Sequence, residues 1–300
     1  MTEKGYAVVN SIFLAHPRII ELVVAARDAN IANDHFAEIG DFCRRNNIAF
    51  LEKSESYSIQ TEYAIAVSWR WIIDSRPARL IIFHDSLLPR YRGFNPLVTA
   101  LVNGDQQIGV TALYATAEYD QGEIICQSTS EISYPIRIQE AIDTIQENYR
   151  DLAIQISDTL ARDLEPLSTP QSETHASYSL WRDEEDYFVD WTKSATYIKR
   201  TVDALGFPYK GAASTIGGMT VRLLKAEALD DVNIVNRTCG KVIFVHDSKP
   251  VVVCGEGLLR IDALVDDAGH SLLPLSRFRT RFKGFSEHSE QTALVYRGKP

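Results

Sequence analysis

Two residues with acid–base side chains, His84 and Asp120, stand where predicted strands end. His84 closes the apolar run "RLIIFHD", which has the composition of a buried strand in a parallel sheet. Asp120 lies in the polar stretch "AEYDQGE", between two further predicted strands. A histidine with a carboxylate in reach can polarise a carbonyl, stabilise an oxyanion and move a proton. From this pattern alone, a structural histidine and a catalytic histidine fit equally well.

The elements that must position these side chains alternate between helices and strands. Helical spacing of Val8, Val9, Ile12 and Phe13 indicates an opening helix, and the apolar run 19–28 indicates the first strand. The alternation then predicts an α/β, Rossmann-like domain with a mainly parallel sheet. Such sheets place ligands and catalytic groups at the carboxyl ends of their strands. A doubly wound domain normally opens on a strand with a glycine turn, and that first strand is missing from the pattern.

The chain divides at a polar segment into two predicted domains. Residues 1–164 form the Rossmann-like domain, and residues 165–185, rich in Pro, Ser and Thr, form a linker. Residues 186–300 begin with a short helix and continue as short strands separated by glycine-containing turns. This pattern predicts a small C-terminal β-barrel domain of the OB-like kind.

Composition and charge argue against several classes of protein. No apolar run approaches the roughly 18 residues of a membrane helix, and the N-terminus lacks a clean signal-peptide core, so we expect a cytoplasmic protein without membrane association. The four cysteines are widely spaced and the histidines lack metal-ligand spacing, so we expect no metal. The net charge of -9 argues against a nucleic-acid partner, although the chain from Tyr187 onward has more basic than acidic residues.

A long stretch around His84 resembles the 10-formyltetrahydrofolate-dependent formyltransferases. This family includes methionyl-tRNA, sugar N- and glycinamide ribonucleotide formyltransferases. The resemblance rests on "FHDSLLPRYRG" followed by "NPLVTALVNGDQQIGVTALYATAEYDQGEII". Farther along, "VDWTKSATYIKRTVDALGFPYKGAAS" and "VVVCGEGLLRIDAL" resemble the C-terminal domain of the methionyl-tRNA and some sugar enzymes. A second domain argues against the single-domain purine-pathway enzyme.

The resemblance implies a reaction and a set of site residues. In the family, an amine attacks the formyl carbon carried on N10 of tetrahydrofolate. By position, His84 would stabilise the oxyanion, while Asp120 would orient His84 and help to move the amine proton. The residues that would contact the co-substrate 10-formyltetrahydrofolate are Trp69, Arg70, Trp71, Ile73, Leu88, Pro89, Ala117, Glu118 and Tyr119.

Ile82 departs from the family pattern, which reads Asn-x-His. Residues 82 and 84 share a strand face, so Ile82 stands where the catalytic amide is expected. Loss of an oxyanion-site donor typically costs about 10²–10³ in rate. The chain is then an enzyme with a substitute polar group, an enzyme with a different substrate geometry, or a binder without turnover. Asp85 would point to the opposite face of an extended strand, and it could help only if the strand ends at His84.

Two further departures concern the formyl acceptor. In the family the missing first strand lines the acceptor side, and a homodimer partner could complete the edge that its loss exposes. Methionyl-tRNA formyltransferases carry a basic loop where this chain has the near-neutral "ARDANIANDHFAE", which argues against tRNA. We therefore predict an N-formyltransferase that acts on a primary amine of a small molecule, such as an amino-sugar nucleotide. The alternatives are methionyl-tRNA formylation and a folate- or sugar-nucleotide-binding protein without turnover.

Overall fold

The computed structural model describes residues 3–27, 34–69, 71 and 73–285. The helices in these ranges are α1 (Glu3–Ala15), α2 (Phe36–Arg45), α3 (Pro96–Asn103), α4 (Ile138–Leu160) and α5 (Ala195–Ala204). The strands are β1 (Leu22–Ala25), β2 (Ala49–Glu52), β3 (Tyr63–Val67), β4 (Arg79–His84), β5 (Arg92–Gly93), β6 (Gln107–Tyr114), β7 (Ile124–Glu131), β8 (Tyr178–Ser179), β9 (Ala212–Ile216), β10 (Met219–Leu229), β11 (Val242–His246), β12 (Lys249–Val253), β13 (Leu258–Asp266) and β14 (Phe282–Lys283).

The chain forms two compact units. The first comprises Met1–Leu97, Gln106–Ile132 and Ala141–Leu180, and the second comprises Val98–Asp105, Ser133–Glu140 and Trp181–Pro300. The sequence predicts a linker at residues 165–185. In the structure, residues 165–180 of this segment belong to the first compact unit.

The sheet around His84 is mixed, with the strand order β3-β4-β6-β7. Strands β3 and β4 are parallel, whereas β4 pairs antiparallel with β6 and β6 pairs antiparallel with β7. The expectation of a mainly parallel sheet is wrong here because β6 runs antiparallel to both of its neighbours, β4 and β7, and only the short loop of residues 115–123 joins it to β7. A parallel connection needs a crossover of a dozen residues or more. Strands β1 and β2 form a separate parallel pair.

The helices of the first unit bury their apolar faces as the spacing predicts. Along α4, Ile145, Tyr149, Leu152 and Ile156 recur every three or four residues, and all four are almost fully buried. The Tyr149 ring centroid lies 5.7 Å from that of Phe83, so α4 packs on β4. The predicted opening helix is confirmed as α1.

Helix α1 packs on α2 through aromatic rings. The ring of Phe42 on α2 makes edge contacts with Tyr6, at 5.8 Å between centroids, and with Phe13, at 5.4 Å. A buried cluster that includes Val23 and Ile39 lies against these rings. The chain therefore places a helix where the sequence pattern lacks a first strand.

The second unit is a curled antiparallel sheet with the order β11-β12-β13-β10-β9-β14. Its two outer strands meet, because Val242 N–H donates to the Thr280 carbonyl and Phe282 N–H donates to the Gly240 carbonyl. The sheet thus curves back on itself, with Phe282 buried. The predicted two-domain fold, Rossmann-like and then barrel-like, is confirmed.

Three features of the described residues bear on the sequence predictions. No helix in these ranges has both the length and the apolar character that a membrane crossing requires. The same part of the chain holds no group of three or more acidic, histidine or cysteine side chains placed to bind a metal ion. All four cysteines are free thiols, of which Cys43 and Cys254 are buried.

Candidate functional site

A cavity of about 1060 Å³ lies along the carboxyl ends of β3 and β4 in the first unit. His84 and Asp120 both line it. Pockets for small ligands usually measure roughly 300–1,000 Å³, so this cavity is large enough to hold a small-molecule ligand. The structure therefore brings the two predicted catalytic side chains to one ligand-sized space.

His84 is held through both of its ring nitrogens. Its Nε2 lies 2.8 Å from the backbone carbonyl of Tyr91, which can only accept, so Nε2 carries a proton and donates it. Its Nδ1 lies 3.5 Å from Oδ2 of Asp120. The Asp120 carboxylate therefore faces the ring nitrogen that the Tyr91 carbonyl does not contact. The ring is 8% exposed, at the cavity wall.

Asp120 is positioned by two backbone interactions. Its Oδ2 accepts a hydrogen bond of 2.8 Å from the Gly93 N–H. Gly93 has a φ of 99°, and a Cβ there would lie 2.6 Å from the Ser179 carbonyl oxygen, so only glycine fits. The Asp120 carbonyl, in turn, accepts from Nε2 of Gln171 at 2.7 Å.

Gln171 belongs to a strap that runs across the site, residues 169–179. Its Nε2 also donates to the Gly122 carbonyl at 2.7 Å, and its Oε1 accepts from Nε of Arg92 at 3.0 Å. The fully buried Arg92 donates from both terminal nitrogens to the Glu173 carboxylate, a bidentate pair. The strap thus joins the loop of Asp120 to the strand that follows the His84 turn. The sequence predicts only a polar linker here, because the segment is rich in Pro, Ser and Thr, and it does not predict these contacts.

Most of the predicted co-substrate residues line the cavity. Trp69, Trp71, Ile73, Ala117 and Tyr119 are among them. The indole Nε1 of Trp69 is buried and has no hydrogen-bond partner among the described residues. An N–H can only donate, and a buried unsatisfied donor costs about 1–3 kcal/mol, so this atom marks a place for a ligand acceptor.

Three predicted co-substrate residues, Leu88, Pro89 and Glu118, are not among those that line the main cavity. Glu118 lines a small adjoining pocket, which also touches Ile82 and Asp120. Leu88 is buried under the loop, where its N–H donates to Thr111 Oγ1, and neither it nor Pro89 belongs to the described cavity lining. Arg70 lies outside the described residues.

Ile82 lines the main cavity, so its departure from the family pattern falls within the site. Strand β4 ends at His84, and the Ser86 N–H donates to the His84 carbonyl at 2.8 Å, a tight reversal. The alternation of an extended strand therefore stops before Asp85, which lines the same cavity as His84. From the sequence, Asp85 is expected to share the site with His84 only if the strand ends at His84, and the strand does end there.

Asp85 is the centre of a charged cluster that sequence reasoning missed. Lys4 Nζ on α1 lies 2.5 Å from Asp85 Oδ2, and the Tyr149 hydroxyl on α4 donates to Oδ1. Burial alone would raise the pKa of the Asp85 carboxyl, yet Lys4 and Tyr149 hold that pKa below its usual range. Burial, followed by the Asp85 charge, raises the pKa of Tyr149 well above its usual value. Asp85 is thus a carboxylate and Tyr149 a neutral donor at neutral pH.

Aromatic side chains surround the cavity mouth. Phe94 is 48% exposed and Tyr119 is 72% exposed, with ring centroids 5.8 Å apart. Trp71, also exposed, carries the Lys53 ammonium over its ring at 4.3 Å. Exposed aromatic groups beside a cavity are typical of a binding surface. The lysine adds attraction for an anionic ligand.

Family comparisons agree with this geometry. The pattern of the family described as formyl transferase matches residues 25–157, and the pattern of its C-terminal domain matches residues 182–281. Together the two matches span more than two thirds of the 300 residues. The chain belongs to the formyl transferase family. The resemblance seen in the sequence is confirmed.

The chain is similar in sequence to methionyl-tRNA formyltransferases. That of Methylobacillus flagellatus is 34% identical over 189 residues, which cover 63% of this chain and 59% of the relative. That of Nitrosomonas europaea is 32% identical over 196 residues, which cover 64% of this chain and 59% of the relative. The chain spans about three fifths of the length of these curated relatives.

Two solved structures share the fold of this chain. WlaRD, a sugar 3N-formyl transferase solved in the presence of dTDP and 5-N-formyl-THF, superimposes with a TM-score of 0.63 at 17% identity, covering 90% of this chain and 95% of that one. HypX from Aquifex aeolicus, solved with tetrahydrofolic acid, superimposes with a TM-score of 0.56 at 20% identity, covering 84% of this chain and 45% of that one. At these identities the likeness concerns the fold alone.

Proposed function

We propose that this protein transfers the formyl group of 10-formyltetrahydrofolate to a primary amine of a small molecule, an amino-sugar nucleotide. The observation that carries the proposal is the His84–Asp120 pair, 3.5 Å apart at the wall of a cavity in a formyl transferase fold. Acyl transfer to an amine needs an electrophilic group beside the carbonyl oxygen and a base beside the amine. His84 and Asp120 supply these two functions.

In the proposed reaction, the amine nitrogen forms a bond to the formyl carbon, and the bond from that carbon to N10 breaks. The amine loses one proton and N10 gains one, so the reaction balances without an added oxidant or metal. Nε2 of His84 donates to the Tyr91 carbonyl, and this contact fixes the ring at the cavity wall, where it stabilises the developing oxyanion. Asp120, which faces Nδ1, orients the ring and helps to move the amine proton.

The residues present fit a folate co-substrate. The unpartnered Nε1 of Trp69 can donate to a folate carbonyl or ring nitrogen. Ala117 and Tyr119 line the same cavity, and the family resemblance implies that backbone groups of their loop pair with the pterin. A nucleotide-linked acceptor fits the exposed Phe94–Tyr119 pair, on which a base or sugar can stack, and the Lys53 ammonium, which attracts a phosphate.

Methionyl-tRNA formylation is the second candidate, because the curated relatives described above carry that name. The net charge of -9 argues against it, since tRNA binding requires neutralised phosphates. A folate binder without turnover is the third, because Ile82 cannot donate a hydrogen bond. The first two candidates place the protein in the cytoplasm. We also propose a homodimer, in which a second copy of the chain pairs with the sheet edge that the missing first strand leaves open.

The acceptor assay separates these candidates. The protein is incubated with 10-formyltetrahydrofolate and either dTDP-3-aminofucose or Met-tRNA, and tetrahydrofolate release is followed by absorbance. We expect release with the amino-sugar nucleotide that exceeds release with Met-tRNA by at least about tenfold, which corresponds to about 1.4 kcal/mol of preference. Faster release with Met-tRNA would select the second candidate. Folate binding without release under either condition would select the binder.

Gln171 provides a test of the strap. Gln171→Ala removes the donor to the Asp120 and Gly122 carbonyls and the acceptor for Arg92 Nε. We expect the free energy of unfolding to fall by about 1–3 kcal/mol, because buried polar groups lose their partners. We also expect kcat to fall about tenfold while the KM for the formyl donor stays unchanged, because Asp120 loses its position.

Denaturant unfolding and steady-state kinetics measure these two effects. The matched control is Gln155→Ala, at an exposed position of α4, which should change neither quantity. Wild-type stability and kcat in Gln171→Ala would show that the strap does not position Asp120.

A further inference from the structure

Asp85 is a cavity carboxylate that the proposed chemistry of His84 and Asp120 does not use. It follows His84 directly in the chain, and the tight reversal after β4 brings it to the same cavity. Its side chain is 22% exposed although two other side chains bind it. Asp85 therefore lines the cavity with a side chain that is not completely covered by its two partners.

The two partners of Asp85 come from distant parts of the first unit's sequence. Lys4 is on α1, the helix that stands where the sequence pattern lacks a first strand, and Tyr149 is on α4. Each partner donates to a different carboxylate oxygen. An oxygen of a carboxylate has a second lone-pair direction, so Asp85 can accept a further hydrogen bond while it keeps both partners.

A carboxylate with this environment suits an amine better than an oxyanion. Asp85 carries negative charge and can only accept, so it would repel the developing oxyanion of the formyl group. It attracts the N–H groups of a primary amine, whether neutral or protonated. The neighbouring Ile82 offers no hydrogen bond to either group.

We propose that Asp85 is a binding residue for the formyl acceptor and that its carboxylate, held in place by Lys4 and Tyr149, accepts a hydrogen bond from the acceptor's primary amine. The assignment rests on the proposed function, and it deepens that proposal by giving the amine a defined anchor. In this site an acidic side chain beside His84 orients the amine, and it does not replace the oxyanion donor that the family pattern has at position 82.

Asp85→Asn tests the assignment with the full chain. The probes are dTDP-3-aminofucose and Met-tRNA as acceptors, with 10-formyltetrahydrofolate as donor. We expect the acceptor KM to rise about 10- to 100-fold, the range for loss of one charge-assisted hydrogen bond. The donor KM should stay within about twofold, because the donor is bound by other residues.

Two further variants separate binding from folding. The double variant Lys4→Gln/Asp85→Asn removes both charges together, so no buried charge is left unpaired, and it should show the same rise in acceptor KM. The control Asp41→Asn removes an exposed carboxylate on α2, paired with Arg44 and outside the cavity lining, and it should behave as the wild type.

Each outcome bears on one proposal. An unchanged acceptor KM in Asp85→Asn, or an equal rise in KM for both substrates, overturns the assignment of Asp85 and leaves the proposed function standing. If the wild type binds 10-formyltetrahydrofolate but releases no tetrahydrofolate with either acceptor, the proposed function fails, and the assignment fails with it.

Discussion

Replacing His84 with alanine is expected to lower kcat/KM for formyl transfer about 10³-fold. In the proposed mechanism the imidazole stabilises the oxyanion and helps to move a proton, and each of these effects typically raises the rate about 10²-fold or more. The Tyr91 carbonyl and the Asp120 carboxylate hold the ring at the cavity wall, so no other side chain takes its place on truncation. Affinity for the folate should change little, because the proposed function assigns folate binding to Trp69 and the loop 117–119.

Tetrahydrofolate release measures the rate, and calorimetric titration with 5-formyltetrahydrofolate, a stable analogue, measures binding. The control is His175→Ala, at an exposed position of the strap. Transfer that persists at the wild-type rate in His84→Ala would remove the mechanism built on this residue. A loss of rate accompanied by an equal loss of folate binding would assign His84 to binding.

Replacing Ile82 with asparagine is expected to raise kcat for formyl transfer by about 10- to 100-fold. The change restores an amide on the strand face of His84, and an oxyanion-site donor is typically worth about 10²–10³ in rate. The gain should fall short of the full range, because the surrounding site has not adapted to the amide. Ile82 is only partly buried and lines the cavity, so a polar side chain there can be hydrated.

Steady-state kinetics of Ile82→Asn and Ile82→Leu measure this effect. Ile82→Leu keeps the apolar character and nearly the volume, so it should show no gain. If the wild type is inactive and Ile82→Asn is active, the binder hypothesis is correct for the natural chain. If both transfer at the same rate, the amide is dispensable and the reaction proceeds through the other groups of the cavity.

Local sequence signals were sufficient to predict the opening helix and the two-domain fold, whereas the pairing of His84 with Asp120 came from the family resemblance. Helical spacing over Val8 to Phe13 reflects one buried face, and that face packs on α2 in the structure. His84 ends a strand pattern and Asp120 lies in the polar loop between two later strands, and the sheet brings both to one cavity. The roles assigned to these residues stay predictions until the variants are measured.

Local sequence patterns could not predict the cluster of Lys4, Asp85 and Tyr149. Lys4 lies 81 positions before Asp85, and Tyr149 lies 64 positions after it, so only the packing of α1 and α4 brings them together. The reversal after His84 depends on one backbone hydrogen bond, which periodicity does not encode. The prediction of a mainly parallel sheet was wrong for a similar reason, since an apolar run such as β6 can pair with its neighbours in either the parallel or the antiparallel direction.

The strap has a consequence for any attempt to isolate the first unit. A truncation at residue 157, where the match to the first family pattern ends, would remove Gln171, Glu173 and β8 together. The fully buried guanidinium of Arg92 would lose its counter-ion, and the Asp120 loop would lose its anchor. An excised catalytic fragment therefore needs to run to about Leu180, roughly twenty residues beyond the end of α4.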